Sequence, residues 1–131
     1  MIPSEGRLDV KVYYEDTDSL GVVYYANYLK YLERGRTELI DGMGRSIADW
    51  NRDGFNFAVY KANLTFLAPA RLGDRCTVVT RVAGGSPYRM RMNQTLEKGD
   101  ETITKAEIHL VCLDGELKLR EFPPEMIPDE G

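Results

Sequence analysis

Histidine and cysteine are scarce in this chain, with one His and two Cys among 131 residues. Cys76 and Cys112 form no C-x-x-C pair. That excludes the common zinc patterns, and no metal is expected. Cys112 lies in the apolar stretch 108–113, which reads as a site for a buried, inert thiol. Long apolar runs are also missing. Residues 1–7 lack the apolar core of a signal segment, and no stretch approaches membrane-spanning length. The expected address is the cytoplasm, where a disulfide is not expected either. A surplus of positive charge is absent too. The formal net charge is −4, and no Lys/Arg run stands out, which argues against nucleic-acid binding. A local pair of basic side chains could still hold a phosphorylated ligand on an acidic protein.

What remains is an ordinary folded balance of 43% hydrophobic and 29% charged residues. The length fits one domain over residues 1–131. A domain this small buries about two-thirds of its unfolded surface, so a partner copy would add stability.

Residues 8–15 alternate apolar and polar, as a half-buried strand does. Residues 16–21 are turn formers. From about residue 25 to residue 40 the period becomes helical. Tyr28, Leu32 and Leu39 share one face with Tyr31 and Gly35, whereas Glu33, Arg34, Arg36, Thr37 and Glu38 are polar. Residues 41–44 stop this helix, and Gly35 inside it predicts close approach of another backbone. Residues 46–54 read as a short second helix capped by Ser46. Strands are expected at 57–68, 75–83, 88–97, 101–113 and 116–122, with an Asp114-Gly115 hairpin before the last. Three prolines then predict an exposed tail over about 123–131. One long helix cannot cover both faces of such a sheet, so a homodimer or homotetramer is expected.

The chemistry points to residues 12–28. They place an acidic loop directly before a helix, whose first N–H groups lack internal partners and favour negative charge. A carboxylate beside such donors forms the two halves of an acyl-transfer site. Taken alone, Asp16 and Asp18 are equally readable as loop or capping acids.

Thr17, Asp18, Gly21, Val22, Val23, Tyr24, Tyr25, Asn27 and Tyr28 together resemble the active-site signature of the hot-dog-fold acyl-CoA thioesterases. The similar branch contains 4-hydroxybenzoyl-CoA thioesterase and the Tol–Pal-associated enzymes. Residues 31–38 and 64–74 resemble that family's helix and following strand and turn. The resemblance implies an α+β hot-dog fold, a curled antiparallel sheet around one long helix. It implies hydrolysis of acyl-CoA to free acid and CoA, with no cofactor, since CoA belongs to the substrate. Asp18 matches the catalytic carboxylate, as nucleophile or general base, and the Tyr25 N–H matches the oxyanion donor. Many Tol–Pal-associated members carry His where this chain has Tyr25.

Arg89 and Arg91 are the first candidates for the CoA phosphates, with Arg71 and Lys98 behind them. Tyr24 and Tyr28 are expected to bind the acyl group, with Tyr31 and Tyr60 as further candidates. A hot-dog dehydratase would want a paired His and acid, and His109 lies far from the motif. A non-catalytic acyl or CoA-binding module is the other alternative.

Overall fold

The computed structural model describes residues 2–128. Six antiparallel strands form one sheet: β1 (Glu5–Lys11), β2 (Asn56–Phe66), β3 (Arg75–Gly85), β4 (Arg89–Lys98), β5 (Glu101–Leu113) and β6 (Leu119–Arg120). The order is β1-β3-β4-β5-β2, with β6 added on β5. The long helix α1 (Tyr28–Asp41) packs on β1, β3 and β4, and the short α2 (Ile47–Arg52) follows it. This is the one-helix, antiparallel-sheet arrangement that the sequence implied.

The pattern of side chains explains the packing. On β4, Met90, Met92, Gln94 and Leu96 are buried while their neighbours Arg89, Arg91 and Asn93 are exposed, the period of two that a one-sided sheet requires. The α1 residues Tyr28, Tyr31, Leu32, Gly35 and Leu39 form the buried helical stripe. Gly35 lies so close to β3 that an added Cβ would sit 2.6 Å from Val78 Cγ1 and 3.0 Å from Thr80 Oγ1. A side chain there would lift the helix from the sheet. Beneath it, Gln94 donates to Leu32 O at 2.8 Å and to Thr80 Oγ1 at 2.9 Å, and accepts from Arg36 Nη1 at 2.9 Å. Ser46 caps α2 as expected, accepting from the Asp49 N–H at 3.1 Å.

Three local expectations are corrected. The first strand ends at Lys11 rather than residue 15, because the Asp16 carboxylate takes the Tyr13 N–H and bends Tyr14–Asp16 into a single 3-10 turn. The last hairpin turns through a longer loop than Asp114-Gly115. Asp114 Oδ1 accepts the Glu116 and Lys118 N–H groups at 2.8 and 3.0 Å, and Leu117 adopts φ 64°. The segment from 123 to 128 is not an exposed tail. Phe122 stacks on Phe57 at 5.9 Å, Pro124–Met126 form a 3-10 turn, and Met126 is buried. Two apolar side chains outweigh the prolines' preference for open loops. Residues 129–131 of that expected tail lie outside the described residues.

Candidate active site

Asp16 organises the loop before α1. Its side chain is buried and accepts the Tyr13 N–H at 2.9 Å and the Tyr31 hydroxyl at 2.8 Å, both on Oδ2. Its carbonyl accepts the Tyr24 N–H at 3.0 Å and Asn27 Nδ2 at 2.9 Å. One residue thus joins the acidic loop, the chain entering the helix and the helix itself. Burial first, and then the Asp16 carboxylate, push the Tyr31 phenol above the usual tyrosine value.

Asp18 sits two residues further, at the tip of a narrow loop closed by pairing of Thr17 with Val23. Its N–H donates to Val22 O at 2.9 Å, and its carbonyl accepts the Gly21 N–H at 3.1 Å. Gly21 has φ +77°, a backbone conformation that glycine supplies without strain. Asp18 Oδ1 accepts the Leu20 N–H at 2.8 Å, and among the described residues Oδ2 meets no donor. Asp18 is therefore held in place, exposed, with one carboxylate oxygen unengaged.

The chain then enters a 3-10 turn, Tyr25–Asn27, that runs directly into α1. The Asn27 N–H donates to Tyr24 O at 2.8 Å, whereas no protein acceptor meets the Tyr25 N–H among the described residues. A free amide leading a helix suits an oxygen that becomes negative. The Tyr25 and Tyr24 rings are 4.8 Å apart and partly exposed, and Phe66 lies 6.3 Å from Tyr25. Tyr28 is buried beneath them, with its hydroxyl accepting the Ala70 N–H at 3.0 Å and its ring 5.5 Å from Phe66. Of the four tyrosine candidates, Tyr24 lies at the surface of the loop, Tyr28 and Tyr31 support it from below, and Tyr60 lies apart, beside Arg89.

Arg89 and Arg91 lie together elsewhere, in a shallow groove with Tyr60, Gly84, Gly85, Ser86 and His109. The Arg89 guanidinium rests 5.1 Å from the Tyr60 ring centre, with Nη1 3.3 Å from its hydroxyl. Among the described residues neither arginine has a carboxylate partner. The other basic candidates differ. Lys98 is paired with Asp74 at 3.0 Å, and the Arg71 backbone bridges to Val22. His109 bonds Glu107 at 2.7 Å and packs against Tyr60, apart from the Asp18 loop. Both cysteines are buried, and burial raises their thiols above the ordinary value. No group of three or more His, Cys, Asp or Glu suited to a metal is present among the described residues. No helix among them is long and apolar enough to cross a membrane.

Sequence reasoning missed the Gln94 network. An inward-facing polar residue in the alternation Met90-Met92-Gln94-Leu96 was the available signal.

Comparison with known proteins identifies the family and the fold. The profile of the thioesterase-like superfamily matches residues 12–128. The chain is 33% identical over 125 residues to the acyl-CoA thioester hydrolase YbgC of Escherichia coli O6:H1, covering 94% of this chain and 93% of that protein. It is 33% identical over 128 residues to the acyl-CoA thioesterase YbgC of Haemophilus influenzae, covering 96% and 94%. Among solved structures, a probable thioesterase from Bartonella henselae superposes with a TM-score of 0.86 at 29% identity, covering 91% of this chain and 99% of the other.

Proposed function

Since the chain belongs to the thioesterase-like superfamily, acyl-CoA thioester hydrolysis is its reaction, and we propose that Asp18 and the Tyr25 N–H carry it out. The observation behind this assignment is the pairing of two unengaged groups. Asp18 Oδ2 and the Tyr25 amide both lack protein partners among the described residues, and the Thr17–Val23 pairing holds their segments together. The thioester carbonyl oxygen points at the Tyr25 N–H, where its developing charge is stabilised. Asp18 either attacks the carbonyl carbon, giving a mixed anhydride that water then cleaves, or takes a proton from the attacking water. In both routes the C–S bond breaks and the thiolate leaves as CoA.

Tyr24 flanks the acyl group at the surface, and Tyr28 supports that wall. Arg89 and Arg91 hold the phosphates of CoA. Their groove meets β2 at Tyr60, six residues from Phe66 beside Tyr25. Six extended residues span about 20 Å, on the scale of an extended pantetheine arm. A CoA thioester substrate fits a cytoplasmic address.

Asp18 is exposed in the single chain, and a second copy over this loop would shield the thioester from bulk solvent while still admitting the water that the hydrolysis consumes. The exposed apolar side chains Leu20, Tyr24, Tyr25, Phe66, Leu67 and Leu72 about the loop are consistent with a homodimer or homotetramer.

The test is thiol release from a panel of acyl-CoA thioesters by the wild type and by Asp18→Asn. Hydrolysis lost in a folded D18N protein supports the assignment, and near-wild-type turnover refutes it. Saturable binding of every thioester without turnover by the wild type would instead favour a binding module.

A further inference from the structure

Tyr25 opens the short 3-10 turn Tyr25–Asn27, and its N–H lies in the peptide plane that it shares with the Tyr24 carbonyl. In a trans peptide the N–H and the C=O point in opposite directions. Whatever holds the Tyr24 oxygen therefore aims the Tyr25 N–H. That oxygen is held by Asn27, whose backbone N–H donates to it at 2.8 Å.

The side chain of Asn27 anchors the same turn to the acidic loop. Asn27 Nδ2 donates to Asp16 O at 2.9 Å, and the Tyr24 N–H donates to that oxygen at 3.0 Å. One carbonyl thus takes donors from residues on both sides of Tyr25. Residue 16 is itself fixed, because its buried carboxylate is bonded to the Tyr13 N–H and the Tyr31 hydroxyl. It lies two residues before Asp18 and next to Thr17, whose pairing with Val23 closes the loop. The Asp16 carbonyl is therefore a common origin from which the Asp18 carboxylate and the Tyr25 amide are both placed.

A 3-10 turn at the start of a helix has a ready alternative. In the α register the Tyr24 carbonyl would accept from residue 28 in place of residue 27, which rotates the 24–25 plane. The Asn27 side chain opposes that rotation, since it is half-buried and tied to a residue eleven positions earlier. An apolar side chain there would leave the Asp16 oxygen one donor short and the turn free to relax.

We infer that Asn27 is a positioning residue for the reaction: its backbone and side-chain amides together aim the Tyr25 N–H at the oxygen that becomes negative. This rests on the assignment of the Tyr25 N–H made above and adds what holds that donor in line. Asn27 touches no reacting atom in this role. The bond from Tyr25 strengthens as charge develops on the thioester oxygen, so misaiming it penalises the transition state more than the bound substrate.

The test compares the wild type with N27A and with N27L, which keeps most of the side-chain volume, after circular dichroism has established folding. If N27A does not fold, N27L carries the test. The expected result is a fall in kcat of about 10–100-fold, with KM and the pH profile unchanged. A rise in KM with kcat unchanged, or no change in either, overturns the inference. A second measurement records the infrared stretch of an isotope-labelled thioester carbonyl in an acyl-CoA bound to D18N and to D18N with the residue 27 substitution. The Tyr25 bond should lower that frequency in D18N relative to free thioester, and the second substitution should return it towards the free value. A frequency in D18N equal to the free value overturns the assignment of the Tyr25 N–H itself. A frequency lowered equally in both proteins overturns the role of Asn27 alone.

Discussion

The Tyr31 hydroxyl donates to Asp16 Oδ2 at 2.8 Å, binding the first turns of α1 to the loop that precedes it. The same oxygen accepts the Tyr13 N–H, so a buried carboxylate fixes three segments. Tyr31→Phe removes one bond to a charged acceptor and is expected to cost about 1.5–3 kcal/mol, read from the denaturant midpoint. The pH dependence has a definite sign. Burial and Asp16 raise the folded phenol above its unfolded value of 10.0, so its contribution is full below pH 10 and is lost as pH rises through the folded value. Wild-type stability should therefore fall more steeply than that of Y31F at strongly alkaline pH. Parallel curves would remove Tyr31 as the cause.

Asp16 and Asp18 should separate cleanly under substitution. Asp18→Asn is expected to lower kcat by about 10²–10⁴-fold while leaving the melting temperature nearly unchanged, because Asp18 is exposed. Asp16→Asn should do the reverse. It weakens the bonds to Tyr13 and Tyr31 and costs about 1–3 kcal/mol, with turnover retained in the folded fraction. Kinetics and thermal melts on the same preparations provide the comparison, and an inactive, fully stable D16N would exchange the two roles.

Arg89→Ala and Arg91→Ala should each raise KM for an acyl-CoA roughly tenfold with kcat unchanged, the effect of one lost charge-assisted contact. The loss should shrink in high salt. A truncated thioester lacking the nucleotide should respond to neither substitution. Equal KM changes for both substrates would move the phosphates elsewhere.

Gly35→Ala tests the close approach of α1 to β3. Alanine favours helix by about 1 kcal/mol over glycine, but its methyl group would lie 2.6 Å from Val78 Cγ1. The expected result is a net loss of about 1–3 kcal/mol in the denaturant midpoint, from overpacking. A stabilised variant would mean that the sheet yields.

Acid sensitivity should come partly from Asp74. Burial opposes its charge, yet the Arg71 N–H and the Lys98 ammonium outweigh burial and hold the carboxyl below 3.8. Its stabilisation is therefore present above pH 3.8 and is lost as pH falls through the lower folded value. Lys98→Met should blunt the drop in stability below pH 4 in acid titrations followed by circular dichroism.

How far the sequence was legible depended on the range of the interaction. α1 could be read because Tyr28, Tyr31, Leu32 and Leu39 repeat at helical spacing, and β4 because Met90, Met92 and Leu96 alternate with polar residues. Gly35 stood out as a local defect whose remedy was a neighbouring backbone. The end of β1 was misplaced because Tyr13-Tyr14-Glu15 continues its alternation, while the Tyr13 N–H is captured by a carboxylate three residues on. The Gln94 clamp depends on Leu32, Thr80 and Arg36, positions distant in the chain that no local pattern connects. At the site, the signature around Asp18 and Tyr25 was readable as a motif. The exposure of Asp18 was not, because it depends on how distant segments pack around the loop.

Near the two ends of the described chain, the Ile2 N–H donates to Glu125 O at 2.8 Å. A peptide linker from residue 128 to residue 2 would close the described residues into a ring of nearly unchanged shape. New ends could then be cut at Gly99, in the tight turn between β4 and β5, without removing a strand from the sheet. Such a rearranged chain would carry its termini well away from the original junction, giving a second place from which to tether or label the protein.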